Sequence, residues 1–147
     1  MSLVVSSPLE LSTSRMTANL LLIDDNAVQA ATRQTILKRA GYFVIAALNP
    51  ARALEQFQSG ELPAEIRLVI TDHLMPGMSG SDFVRALRKT HPRLPVLVIS
   101  GLEEAEQEYA GMHVTFRMKP LLPHHLLEVV EHLVEESGDD SRLSAVS

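Results

Sequence analysis

The chain of 147 residues contains no cysteine and no tryptophan. Without cysteine it forms no disulfide, carries no thiolate nucleophile and builds no thiolate metal site. Aromatic residues make up only 4% of the chain, so its core must be built from aliphatic side chains. No apolar run approaches the roughly 20 residues needed to span a bilayer. No lysine or arginine precedes Arg15, and no long apolar core opens the chain, which argues against a secretory signal. An excess of basic charge is also missing. The net charge of −5 argues against a dedicated nucleic-acid surface. The expectation is a cytoplasmic protein with no membrane segment and no direct nucleic-acid contact.

What is present suits one domain with a sizeable core. Residues 1–17 are rich in serine and threonine without a clean period, and read as a leader or linker. Residues 18–136 alternate short aliphatic runs with helical patterns, and residues 137–147 read as a polar tail. Asn19 to Ile23 is an aliphatic run that stops at the pair Asp24-Asp25. Asn26 suits the cap of a helix with Val28, Ala31, Thr35 and Leu37 on its buried face. Lys38 and Arg39 suit its last turn and Gly41 the left-handed position beyond. Tyr42 to Ala47 is the second strand. Asn49-Pro50 starts a helix with Ala53, Leu54 and Phe57 inside, closed by Ser59-Gly60.

Leu68 to Ile70 begins the third aliphatic run, which ends at Asp72, and Met75-Pro76-Gly77 turns the chain. Ser79 or Ser81 suits a cap for a helix with Phe83, Val84 and Leu87 buried and Arg85, Arg88 and Lys89 solvated. Pro95 to Gly101 is the fourth strand, and it ends in a hydroxyl and a glycine. Glu103 to Tyr109 is a short acidic helix with a thin apolar face, expected to be the least firmly packed element. Val114 to Pro120 is the fifth strand, ending in Lys119-Pro120. Pro123 opens a last helix in which Leu126, Val129, Val130 and Leu133 recur at helical spacing. Five strands alternating with five helices predict an α/β fold: a doubly wound, five-stranded parallel sheet of order 2-1-3-4-5, flavodoxin-like.

In that order the first and third strands are neighbours, so Asp24, Asp25 and Asp72 converge at the carboxyl edge of the sheet. Three close carboxylates repel one another and raise each other's pKa. A hard dication such as Mg²⁺ relieves this, as does the ammonium of Lys119. The chemistry that fits is phosphoryl transfer to a carboxylate, with the metal and the lysine neutralising the equatorial oxygens. Ser100 and the Gly101 N–H can donate to the same oxygens, and glycine leaves room for the group.

Leu22 to Asn26, Asp72 with Met75 to Gly80, Val98 to Gly101 and Phe116 to Pro120 together resemble the receiver domain of two-component response regulators. The resemblance covers roughly Thr17 to Glu136. It implies that Asp72 accepts a phosphoryl group from a sensor histidine kinase or phosphotransfer protein. It implies Asp25, Asp72 and the Leu74 carbonyl as direct Mg²⁺ ligands, with Asp24 acting through water. Lys119, Ser100, Gly101 and Leu74 would bind the phosphoryl group, and Ser100 and Phe116 would switch the binding of a downstream output protein or domain. The domain would be no turnover enzyme: it would phosphorylate and dephosphorylate only itself. It also implies a cis Lys119–Pro120 bond, and a homodimer face built from the fourth helix, fifth strand and last helix. The stretch between Ser100 and Lys119 is short for such a domain, so that helix is expected to be curtailed and the face reduced. The chain has no room for a second output domain, and reads as a stand-alone receiver or a piece of a larger protein.

Two other readings share the sheet. An aspartyl-phosphate phosphohydrolase needs a second acid two residues after its nucleophile, where Leu74 stands. A flavin-binding electron carrier needs a Ser/Thr/Gly-rich loop after the first strand, where Asp24-Asp25-Asn26 stands. His124, His125 and His132 lack the i,i+4 spacing of a metal pair and suit a solvated face, while His73 suits the rim of the pocket. Leu74 and Leu102 offer no group that orients a water, so a long-lived aspartyl phosphate is expected.

Overall fold

The computed structural model describes residues 18–62 and 65–146, so the leader read at residues 1–17 lies outside the described residues. The elements are β1 (Asn19–Ile23), α1 (Ala27–Arg39), β2 (Phe43–Ala47), α2 (Pro50–Ser59), β3 (Leu68–Asp72), α3 (Gly80–Arg88), β4 (Val96–Ser100), a 3₁₀ helix (Glu103–Tyr109), β5 (Thr115–Met118) and α4 (Pro123–Val146). The strands form one sheet of order β2-β1-β3-β4-β5, every pair parallel. This is the expected doubly wound topology.

Both faces of the sheet are covered, which is why its central strands are aliphatic without alternation. Successive side chains go to opposite faces. Leu20, Leu22, Leu68, Ile70, Leu97 and Ile99 pack with α1 and α4, through Ala30, Leu37, Leu126 and Val130. Leu21, Ile23, Val69, Val96 and Val98 pack with α2 and α3, through Ala53, Phe83, Val84 and Leu87. Asp72 continues the parity of Leu68 and Ile70, so it belongs to the α1 side of the sheet.

The helix boundaries follow their local chemistry. Asn26 caps α1 by accepting from Gln29 N, and Asn49 caps α2 by accepting from Arg52 N ahead of Pro50. Gly60 ends α2 at φ 74°, a left-handed backbone that favours glycine. Ser79 and Asp82 form a reciprocal capping box on α3.

Three expectations change. The buried face of α1 is not Val28, Ala31, Thr35 and Leu37: Ala30 and Leu37 are buried, Gln29 and Arg33 half-buried, and Val28 is 77% exposed. The stripe is turned because part of the helix's inner face meets acids rather than core. The fourth helix is a seven-residue 3₁₀ segment in which only Ala105 and Tyr109 are buried, in keeping with its thin apolar face. The last helix continues through Val146, past the Glu136 boundary.

Arg88, expected on the solvated side of α3, is half-buried and ties together the turns around β4 and β5. Its guanidinium donates to the carbonyls of Met112 (2.8 Å), His91 (2.8 Å), Leu94 (2.7 Å) and His113 (3.1 Å). A rigid five-donor fork suits several carbonyls at once. We expect Arg88→Met to lower stability by about 3 kcal/mol, since it strands several carbonyls while keeping the stem's volume. Urea unfolding checks this; an unchanged midpoint would contradict it.

Candidate functional site

The carboxyl ends of β1 and β3 lie side by side because Leu22 pairs with Ile70 and Ile23 with Thr71. The next residues along are Asp24 and Asp72. Together with Asp25 they present one carboxylate oxygen each within 4.8 Å of the others. Asp24 and Asp72 are 0% and 3% exposed, whereas Asp25 is exposed. An oxygen-rich cluster with one wet member suits a hard dication that keeps some of its water. Among the described residues these three acids form a group able to hold a metal ion.

Like charges this close need compensation, and the chain supplies it from three directions. From β5, Lys119 Nζ stands 3.4 Å from Asp72 Oδ1. The Lys119–Pro120 bond is cis, as expected, and Lys119 N donates to the Ser100 carbonyl at 2.8 Å. From α1, Arg33 Nη1 reaches Asp24 Oδ2 at 3.2 Å and Asp72 Oδ1 at 3.0 Å. One turn earlier, Gln29 Nε2 donates to Asp24 Oδ2 at 2.7 Å and Asp72 Oδ2 at 2.8 Å. The third source is the backbone: Asn26 N donates to Asp24 Oδ1 at 2.9 Å. Burial and the neighbouring Asp24 carboxyl push the Asp72 carboxyl above its ordinary value, while Arg33 pulls it back down.

Gln29 and Arg33 were not found from the sequence. Their signal was there in their spacing of four, which puts them on one face of α1, and in their place just after an acidic strand end.

The other expected residues surround this pair of acids. Ser100, 2% exposed, is occupied locally: its Oγ accepts from Leu102 N at 2.9 Å and donates to the Leu102 carbonyl at 3.3 Å. A Cβ added at Gly101 meets no atom within 4 Å, so this side of the pocket is open. Leu74, next but one to Asp72, is 73% exposed. Phe116 is half-buried, its ring 6.0 Å from that of Tyr109. His124, His125 and His132 are exposed on α4, as expected.

His73 is a correction. It is not at the rim but buried, 5% exposed. Its Nδ1 shares a 2.7 Å hydrogen bond with the Tyr109 hydroxyl, and its Nε2 stands 3.4 Å from Glu108. Ser81 Oγ donates to the same Glu108 carboxylate at 2.8 Å. The parity of β3 explains the placement: His73 points opposite to Asp72, beneath the 3₁₀ helix. Burial first, then Glu108, Asp82 and Asp72, hold the Tyr109 phenol well above its ordinary value, so it remains protonated. Gly80 permits this crowding, because a Cβ there would lie 2.5 Å from both the Asp72 carbonyl oxygen and the Tyr109 hydroxyl.

The response regulator receiver domain family matches residues 20–131. The hydrogenase transcriptional regulatory protein HoxA of Cupriavidus necator is 29% identical over 126 residues, which cover 82% of this chain and 25% of that protein. The aerobic respiration control sensor protein ArcB of Escherichia coli is 32% identical over 128 residues, covering 83% of this chain and 16% of that protein. The chain thus spans a quarter or less of these relatives. Among solved structures, the chemotaxis protein CheY4 of Vibrio cholerae superposes with a TM-score of 0.71 at 29% identity, covering 80% of this chain and 98% of that one.

We expect Tyr109→Phe to cost about 1–2 kcal/mol, because it leaves a buried imidazole nitrogen without its partner. Chemical denaturation checks this, and a loss below about 0.3 kcal/mol would contradict a native hydrogen bond there.

Proposed function

Because this chain belongs to the response regulator receiver domain family, we propose that it is a phosphorylation-controlled signalling domain in which Asp72 accepts a phosphoryl group from the phosphohistidine of a sensor kinase or phosphotransfer protein. The observation that carries this reading is a buried carboxylate, Asp72, held within reach of two further acids and a lysine at one sheet edge. In the transfer, an Asp72 carboxylate oxygen forms the bond to phosphorus. The bond from phosphorus to the imidazole nitrogen of the donor breaks, and the imidazole leaves with its electron pair. Asp25, Asp72 and the Leu74 carbonyl, with Asp24 acting through water, would hold Mg²⁺, which would supply positive charge to the transferring group. Lys119 supplies the second charge from β5, and the Gly101 N–H and the Ser100 hydroxyl donate to the same oxygens.

Ser100 gives up its contacts with Leu102 to make that donation. The move frees space beside β4 into which the half-buried Phe116 ring turns, changing the surface offered to a downstream output protein or domain. Among the described residues no helix is long and apolar enough to cross a membrane, and a cytoplasmic setting suits a kinase donor. The face shared by the 3₁₀ helix, β5 and α4 is the proposed surface for output or self-association.

Incubation with acetyl phosphate and Mg²⁺ should raise the intact mass by one phosphoryl group. Asp72→Ala should not take it up, and Asp25→Asn should take up little. Equal labelling of Asp72→Ala would refute the assignment.

The phosphoryl group should also be long-lived. Leu74 and Leu102, 73% and 41% exposed, stand two residues beyond Asp72 and Ser100 and offer nothing to orient an in-line water. The double change Leu74→Asn and Leu102→Glu should speed loss of the group about tenfold after donor removal. Equal decay in both proteins would show that these leucines do not control water access.

A further inference from the structure

The helix α1 brings two residues to the acidic pocket whose part in it goes beyond neutralising charge. Asp24 Oδ1 is taken by the backbone of Asn26, and Asp24 Oδ2 by Gln29 and Arg33 together. Asp72 Oδ1 is shared by Arg33 and Lys119, and Asp72 Oδ2 is taken by Gln29. Every carboxylate oxygen of the two buried acids therefore already accepts a contact from the protein. We infer that Arg33 is a built-in competitor for Mg²⁺: its guanidinium holds the oxygens that the cation needs, and cation binding has to displace it.

Charge supports this. Three carboxylates against Arg33 and Lys119 leave one net negative charge in the pocket. A dication entering with Arg33 in place leaves one net positive charge, crowded into a buried space. With Arg33 withdrawn, the same pocket is neutral. The guanidinium relieves the crowding by moving. Of the two cations, Arg33 is the better placed to compete. It spans both buried acids with one nitrogen at 3.2 and 3.0 Å, and its side chain is 11% exposed. Among the described residues the Lys119 ammonium pairs with Asp72 alone, at 3.4 Å, and the side chain is 33% exposed. Gln29 lends no charge. It bridges the same two acids and holds them at the spacing the guanidinium spans. In this arrangement Arg33 keeps the two buried acids together when Mg²⁺ is scarce, and sets the concentration at which the pocket loads.

The inference rests on the acidic pocket being the cation site, and its test separates the two claims. MgCl₂ is titrated by calorimetry into the wild type, Arg33→Gln and Arg33→Lys. Arg33→Gln should bind about tenfold more tightly, and Arg33→Lys should stay near the wild type because it keeps the charge. In parallel, the Arg33 guanidinium resonance is followed by ¹⁵N NMR in the wild type alone, so that this reading does not depend on a variant folding. Saturation with Mg²⁺ should move it from its ordered, hydrogen-bonded position to that of a free guanidinium. An Arg33→Gln affinity equal to or below the wild type's, or an unmoved resonance at saturation, would overturn the competition while leaving the cation site intact. Absence of Mg²⁺ binding in all three proteins would remove both claims.

Discussion

The mutual repulsion of Asp24, Asp25 and Asp72 is the constraint on which the rest of the site depends. Parallel pairing of β1 with β3 leaves no freedom: the register that buries Leu22 beside Ile70 also sets two carboxylates side by side at the sheet edge. The aliphatic sheet supplies the stability that holds them there, and the fold then has to supply positive charge. Lys119 comes from the end of β5 and Arg33 from one face of α1. Among the described residues no buried side-chain polar atom lacks a hydrogen-bond partner, so the crowded carboxylate oxygens are satisfied even though the pocket keeps a net negative charge.

The strand-end residues were legible in the sequence because each closes an aliphatic run with a polar group, a pattern with a direct physical meaning in a parallel sheet. The same runs imply a parallel sheet, and its expected order was that of a flavodoxin-like doubly wound fold. Arg33 and Gln29 were not legible, because α1 carries no clean apolar period. Its inner face is divided between the small core residue Ala30, the larger Leu37 and two polar residues that serve the pocket. The more hydrophobic Val28 stands outside in solvent and drew the expected stripe around the helix. Arg88 was missed for a related reason. Its partners are four backbone carbonyls, and carbonyls leave no mark in a sequence. His73 was misplaced because burial of an imidazole depends on Tyr109 and Glu108, more than thirty residues away.

Two structural routes lead away from Asp72. One runs along β4, where the Ser100 hydroxyl is engaged with Leu102 at the start of the 3₁₀ helix. The other starts at His73 on the opposite face of β3 and passes through Tyr109 to the edge of the Phe116 ring. Both end at the 3₁₀ helix and β5. The 3₁₀ segment has only two buried residues, Ala105 and Tyr109, and Tyr109 lies on the second route. The geometry therefore concentrates the adaptable part of the fold next to the pocket rather than on the far side of the sheet.

Chemical trapping of the acceptor tests the central claim most directly. The protein is phosphorylated with a small acyl phosphate, then reduced with borohydride, which converts an aspartyl phosphate to homoserine, and the digested peptides are sequenced by mass spectrometry. The account predicts homoserine at position 72 and aspartate retained at positions 24 and 25. Homoserine at either of the β1 acids, or at none of the three, would contradict it.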